Sequence, residues 1–274
     1  MNSFGKKYLK VLMVSILALL LWLPPSCKKS QEESTVKPAL PSQQKESKST
    51  KTTEQQAQSG SETAEPAKPQ VESSGVKMVP LAIKLPKPLF VGTPTDIRID
   101  NLEKPLGKAR PPFMAPEETT NVALDKPVTS SDDMPIIGDL EQTTDGDKEG
   151  VDGSWVELAP GPQWVQIDLQ AEYHIYALLI WHYHRQAQVY KDVVIQAADD
   201  ADFITNVRTL FNNDIDNSAG LGIGKDKHYV ETSEGKLIDA QGIKARYLRL
   251  YSNGNTSNDQ NHYTEVEVYG KPAK

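Results

Sequence analysis

The chain has 274 residues, with 30 Lys and Arg against 37 Asp and Glu, room for one or two domains. Fourteen of the nineteen Pro lie between Pro24 and Pro116, and no Phe, Trp or Tyr lies between Cys27 and Leu89, so only about the last 155 residues can build a core. That excludes a two-domain enzyme of the usual kind. The stretch from Asn121 to Lys274 carries 13 basic and 25 acidic side chains. Such a surface repels phosphate backbones, so no nucleic-acid partner is expected; it suits cations, neutral polar ligands or basic partners.

At the start, Lys6, Lys7 and Lys10 precede an apolar run of 13 residues, Val11 to Leu23. The run is too short to span a bilayer comfortably and fits the core of a signal peptide. It ends in Leu23-Pro24-Pro25-Ser26-Cys27, and Cys27 is the only cysteine, which rules out an intramolecular disulfide. A lone Cys at this place resembles the bacterial lipoprotein box, whose thiol is acylated and becomes the mature N-terminus. Pro24 stands where Leu is usual, so an ordinary signal peptide is the alternative. The resemblance implies a cell-envelope protein held to a membrane through its N-terminal lipid at Cys27, with residues 1–27 as the address. Residues 28–77 mix eight basic and seven acidic side chains with Ser, Thr, Gln, Ala and Pro. They cannot bury enough apolar surface to order themselves and read as a disordered linker. Residues 78–120 gain Leu81, Ile83, Leu85, Leu89, Phe90, Ile97, Ile99 and Leu102 among eight Pro. So many prolines exclude a long helix or a central strand and predict an extended segment along the outside of the domain, with a short edge strand at Ile97–Ile99.

From residue 121 onward, apolar and polar residues alternate with period two between turn residues. Val165, Ile167 and Leu169 share one face, as do Val193, Ile195 and Ala197. Leu248 and Leu250 point inward with Arg249 outward; Val266 and Val268 point inward with Glu265 and Glu267 opposite. Ile175 to His184 is more apolar throughout, as a central strand requires. No segment shows a sustained helical period. The pattern predicts an all-β domain, an antiparallel β-sandwich with long polar loops.

Five motifs in order resemble the discoidin, or coagulation factor five/eight type C, domains. They are Asn121-Val-Ala-Leu-Asp-Lys-Pro-Val-Thr-Ser-Ser131, Thr144-Asp-Gly-Asp147, Gln163-Trp-Val-Gln-Ile-Asp-Leu169, Ala245-Arg-Tyr-Leu-Arg-Leu250 and Glu265-Val-Glu-Val-Tyr-Gly270. The resemblance covers about residues 121–270 and implies an eight-stranded jelly-roll β-sandwich of the galactose-binding-like fold, related to the family 32 carbohydrate-binding modules. Members bind glycans, lipids or proteins through loops at one end, so fold alone does not choose a ligand.

Two places could carry chemistry. In Asp145-Gly-Asp147-Lys-Glu-Gly150-Val-Asp152, carboxylates crowd around glycines, as suits a hard cation; a solvated acidic turn is the alternative. The discoidin resemblance implies a structural calcium held by Asp145, Asp147, nearby carbonyls and Glu265. In Trp181-His-Tyr-His-Arg-Gln-Ala-Gln-Val-Tyr190, a strand running through His184 would put His182 and His184 on one side. Such a pair can chelate Zn²⁺, Cu²⁺ or Fe with a third ligand, for which His262, Asp192 and Glu267 are of the right type. The same residue types serve sugar recognition, and they also serve as buried groups that stiffen long loops. Gly220-x-Gly222-x-Gly224 is no dinucleotide fingerprint, since it opens no helix, and no Gly-x-Ser-x-Gly is present.

The expected function is therefore binding without catalysis: a lipid-anchored protein presenting one discoidin-like domain to a glycan or cell-surface polysaccharide. His182, His184, Arg185, Tyr190, Asn261 and His262 are the ligand-binding candidates. The rivals are a protein–protein adhesion module and a metal-dependent enzyme using His182 and His184.

Overall fold

The computed structural model describes residues 75–90 and 96–274. The expected address at 1–27 with Cys27, and the linker up to residue 74, lie outside the described residues. Among the described residues no helix is long and apolar enough to cross a membrane.

The described residues form eleven strands and one short 3-10 turn at Leu140–Thr143: β1 Met78–Pro80, β2 Met114–Pro116, β3 Thr120–Asn121, β4 Val128–Ser130, β5 Val156–Leu158, β6 Gln163–Trp181, β7 Val194–Ala198, β8 Arg208–Asn212, β9 Lys236–Ser252, β10 Asn261–Tyr263 and β11 Glu265–Pro272. The count departs from the expected eight: β1, β2, β3, β4, β5 and β10 are only two or three residues long, while β6 and β9 run through 19 and 17 residues. The main sheet is antiparallel, in the order β3-β11-β6-β9-β7-β8, with β4 also on β6.

Two strands that the sequence separates, 164–169 and 175 onward, are one strand of 19 residues, β6. Its register against β9 breaks between Asp168 and Tyr173, where Gln170 takes a left-handed conformation, φ 65°, beside the Asp168 carboxylate that accepts its N–H at 2.7 Å. The break lets one strand serve two arms. Val165, Ile167 and Leu169 from the first arm and Ile175, Leu178 and Ile180 from the second meet Leu248, Leu250, Val266 and Val268 in a single core, all essentially fully buried. Burying each such side chain stabilises the fold by about 1.5–3 kcal/mol.

The outward face of the second arm is covered as well. Ala177, Leu179, Trp181 and Tyr269 form a second buried cluster, roofed by Leu81, Ile83 and Phe113 from the proline-rich segment. This strap starts as the β1–β2 pair, and Leu81 N–H bonds the Phe113 carbonyl at 2.8 Å. Arg110 ties it to the domain by donating to the Glu234 and Gly235 carbonyls at 2.8 and 2.9 Å, and Lys236 pairs with Glu103 at 2.7 Å. The expected edge strand at Ile97–Ile99 is absent. His228 takes the carbonyls that follow instead: its N–H bonds Asn101 and its ring Nδ1 bonds Asp100, both at 3.1 Å, while Asn101 turns left-handed at φ 57° and Leu102 makes a single parallel bridge to His228.

Candidate functional site

β5 and β10 pair so that Glu157 lies directly opposite His262. Their side chains meet at 3.0 Å through Nε2, and the other ring nitrogen, Nδ1, lies 2.8 Å from the Tyr190 hydroxyl. Gln188 Nε2 donates to that hydroxyl at 2.9 Å, so the hydroxyl donates onward to Nδ1 and the Nε2 proton goes to Glu157. The chain Gln188, Tyr190, His262, Glu157 is thus a one-way series of hydrogen bonds through a neutral imidazole. Burial holds His262 below the usual histidine range, and Glu157 offsets only part of that. Burial, with the Glu231 carboxylate adding to it, keeps Tyr190 well above the usual tyrosine range.

His182 sits behind this chain. Its ring stacks on Tyr190 with centroids 4.3 Å apart, and Nδ1 meets Glu231 at 2.6 Å; both residues are buried. The strand stops at Trp181, so His182 and His184 do not share a strand face. His184 Nε2 donates to the Lys148 carbonyl at 2.9 Å, whereas His182 meets Glu231. The His-x-His chelate is thus a correction: the two rings answer to different loops. Among the described residues, the one group of three whose ligand atoms lie within 4.8 Å of one another is Asp192, Asp214 and Asp216.

Most of the expected ligand-binding residues face inward. Asn261 donates to the Ala159 and Gly161 carbonyls and accepts from Ser252 Oγ and Gly254 N–H, so all four of its hydrogen-bonding positions are filled inside the protein. His182, His184, Tyr190, Asn261 and His262 are 0–5% exposed. They stiffen the loops and cannot touch a bound molecule in this arrangement. Arg185 is the exception: it is exposed and pairs with Asp152 at 2.7 Å.

Two aromatic residues that the sequence reading left aside flank this ion pair in the chain, Tyr183 two residues before Arg185 and Trp155 three after Asp152. Trp155 and Tyr183 are half-buried and meet edge to face, with centroids 4.8 Å apart and planes at 62°; Tyr183 also borders His262 at 5.7 Å. The signal for Trp155 was its place at the end of the polar loop Gly150-Val-Asp-Gly-Ser-Trp155, where no strand alternation demands a large apolar side chain. Tyr183 sat between two histidines that attracted the chemical reading. Together Trp155, Tyr183, Arg185 and Asp152 form an aromatic edge flanked by a charged pair, supported from behind by the buried chain.

The acidic loop lies on the other side of His184. Gly150 is left-handed, φ 65°, and a Cβ there would come within 3.1 Å of the His184 ring, so this position requires glycine. Lys148 pairs with Glu267 and lies over the Trp181 ring, 5.0 Å from its centroid. Glu265 is fully buried; its Oε2 accepts the Gly146 N–H at 3.0 Å, and its Oε1 has no partner among the described residues. Burial pushes its carboxyl up to about 9, and Asp145 is also raised, by desolvation first and by the neighbouring Asp147 and Asp125 charges. An unpaired carboxylate oxygen beside crowded acids fits a hard cation. Asp147 does not converge with Asp145 and Glu265 into a set of three carboxylates whose oxygens lie within 4.8 Å of one another.

The model of the F5/8 type C domain family matches residues 127–266. The chain belongs to the F5/8 type C domain family. Solved structures similar to this F5/8 type C chain include a fucose binding module of Streptococcus pneumoniae, 22% identical, covering 57% of this chain and 98% of its own, with a TM-score of 0.40. A chitosan-binding module from a chitosanase/glucanase of Paenibacillus sp. IK-5 is 20% identical over 55% of this chain and 99% of its own, with a TM-score of 0.38. A family 89 glycoside hydrolase of Clostridium perfringens is 19% identical over 56% of this chain, which spans only 15% of that enzyme; the TM-score is 0.42. No curated protein matches the chain.

Proposed function

We propose that the F5/8 type C domain binds a carbohydrate at its loop end, through Trp155, Tyr183, Arg185 and Asp152, and does not turn it over. The observation that carries this reading is the half-buried aromatic pair beside an exposed ion pair. A ring face takes the C–H side of a sugar, while a guanidinium and a carboxylate take its hydroxyls, and neither needs a deep cavity. The buried chain from Gln188 to Glu157 supports the reading by fixing Tyr183, whose carbonyl accepts from the same Gln188 amide at 2.9 Å. Rigid support from behind is what a shallow site requires to hold affinity.

Two further parts of the reading concern how the domain is held. Calcium at Glu265 and Asp145, completed by loop carbonyls, would join the acidic loop to the last strand and relieve the buried unpaired oxygen. Acylation of Cys27 would fix the chain to a membrane of the cell envelope, with residues 28–77 as a tether. Mass spectrometry of the mature N-terminus tests the anchor.

A glycan array followed by calorimetry tests the binding. A glycan bound by the protein and lost on Trp155→Ala or Tyr183→Ala, with the urea midpoint kept, is the expected result. Binding that survives both substitutions places the site elsewhere, and no bound glycan across the array discards the reading.

A further inference from the structure

A second concavity, lined by none of these residues, lies between the strap and the connection that leads into β9. It encloses about 600 Å³, within the range of small-molecule sites. One wall comes from the strap, at 88–90 and 103–110, and the other from residues 229–237, so the cavity exists only because the proline-rich segment lies against the domain. Its walls are mainly apolar, with Leu89, Phe90, Leu106 and Leu237 among the lining. Leu89 and Leu106 are 42% and 57% exposed, large apolar groups left facing solvent at the mouth.

The charge there runs against the rest of the domain. Residues 121–274 carry 25 acidic and 13 basic side chains, whereas the cavity is lined by Lys104, Lys108 and Arg110 of the strap and by Lys236, against only Glu103 and Glu234. Two of the cations are committed to structure: Lys236 pairs with Glu103, and Arg110 holds the strap through two carbonyls. Lys104 and Lys108 are exposed and make no hydrogen bond or ion pair among the described residues, although the domain offers many carboxylates. Apolar walls under two uncommitted ammonium groups match one kind of ligand, an apolar body with an anionic head.

We propose that the cavity between the strap and the 229–237 connection binds an amphipathic anion, its apolar body against Leu89, Phe90, Leu106 and Leu237 and its head at Lys104 and Lys108. The site shares no residue with the proposed glycan site and stands or falls independently of it.

Calorimetry of the full chain with decanoate, below its micelle concentration and at low salt, tests this, with decyltrimethylammonium and decyl maltoside as head-group controls. Decanoate should bind one per chain, about tenfold or more tighter than either control. The double reversal Lys104→Glu, Lys108→Glu should weaken decanoate at least about tenfold while leaving the urea midpoint unchanged, because both side chains are exposed. Leu106→Asp should weaken all three probes. Absence of decanoate binding, equal binding of the cationic probe, or decanoate binding indifferent to the double reversal overturns the proposal. Vesicles separate the two sources of such an anion. A preference for phosphatidylglycerol over phosphatidylcholine that the reversal removes assigns the head to a lipid; equal binding to both, with decanoate bound in solution, assigns it to a free acid.

Discussion

Tyr190→Phe removes one oxygen from the buried chain and little else. The ring that stacks on His182 at 4.3 Å stays, so no cavity the size of a side chain opens. What goes is the acceptor for Gln188 Nε2 and the donor to His262 Nδ1, at 2.9 and 2.8 Å. Both partners are buried, at 1% and 5% exposure, and water cannot replace the lost group without rearrangement. Each neutral hydrogen bond of this kind is worth about 0.5–1.5 kcal/mol net, so the pair comes to about 1–3 kcal/mol. With a urea m-value of about 2 kcal/mol/M, the unfolding midpoint should fall by about 0.5–1.5 M. Equilibrium urea denaturation followed by tryptophan fluorescence measures this, and Trp155, at the near end of the network, should report it. A midpoint shift under about 0.2 M would refute the reasoning, because it would mean that the hydroxyl carries no bond inside the folded domain.

Three more predictions follow from the same geometry. Gly150→Ala forces a left-handed alanine whose Cβ crowds His184, and should cost about 1–3 kcal/mol, read as a fall in Tm of several degrees. The His262 imidazole is held below its usual range by burial, so as pH falls through about 6.5 the unfolded chain takes up a proton before the folded one does. Stability should therefore decline on acidification in that window, and His262→Gln should flatten the decline in urea titrations repeated from pH 7.5 to 5. Chelation of divalent cations should lower the Tm of the protein and leave Glu265→Gln unaffected; equal response of the two would remove calcium from Glu265.

How far the sequence reached differs between elements. The alternation at Val165, Ile167 and Leu169 told which side chains share a face, and those residues are fully buried. Alternation does not tell whether the other face is wet. Glu265 and Glu267, on the face opposite Val266 and Val268, are both buried, because the acidic loop folds over them and Lys148 reaches Glu267. The apolar run from Ile175 to His184 read as a central strand; the strand ends at Trp181, and the strap covers its outer face with Leu81, Ile83 and Phe113. At the loop end the limit was chemical. His, Tyr and Asn bind sugars and also satisfy buried backbone, with the same atoms, so residue type cannot separate the two uses. Asn261, with every donor and acceptor spent inside, shows why.

By itself, then, the sequence determined the β-sandwich and, through five motifs in order, its family, because local periodicity encodes strand faces; that the acidic loop meets the last strand was implied by the family resemblance, and the Gly146 N–H on Glu265 is a contact of the tertiary structure. It also located the proline-rich boundary, because proline forbids a helix or a central strand there. Only the tertiary structure decided which polar side chains are spent and which are exposed. It buried His182, His184, Tyr190, Asn261 and His262, left Trp155 and Tyr183 half-buried and Arg185 exposed, and laid the strap down so that a cavity formed beside Lys104 and Lys108. The physical reason is that burial depends on segments distant in the chain, Glu231 on His182 or Arg110 on Gly235, and no local pattern carries that information.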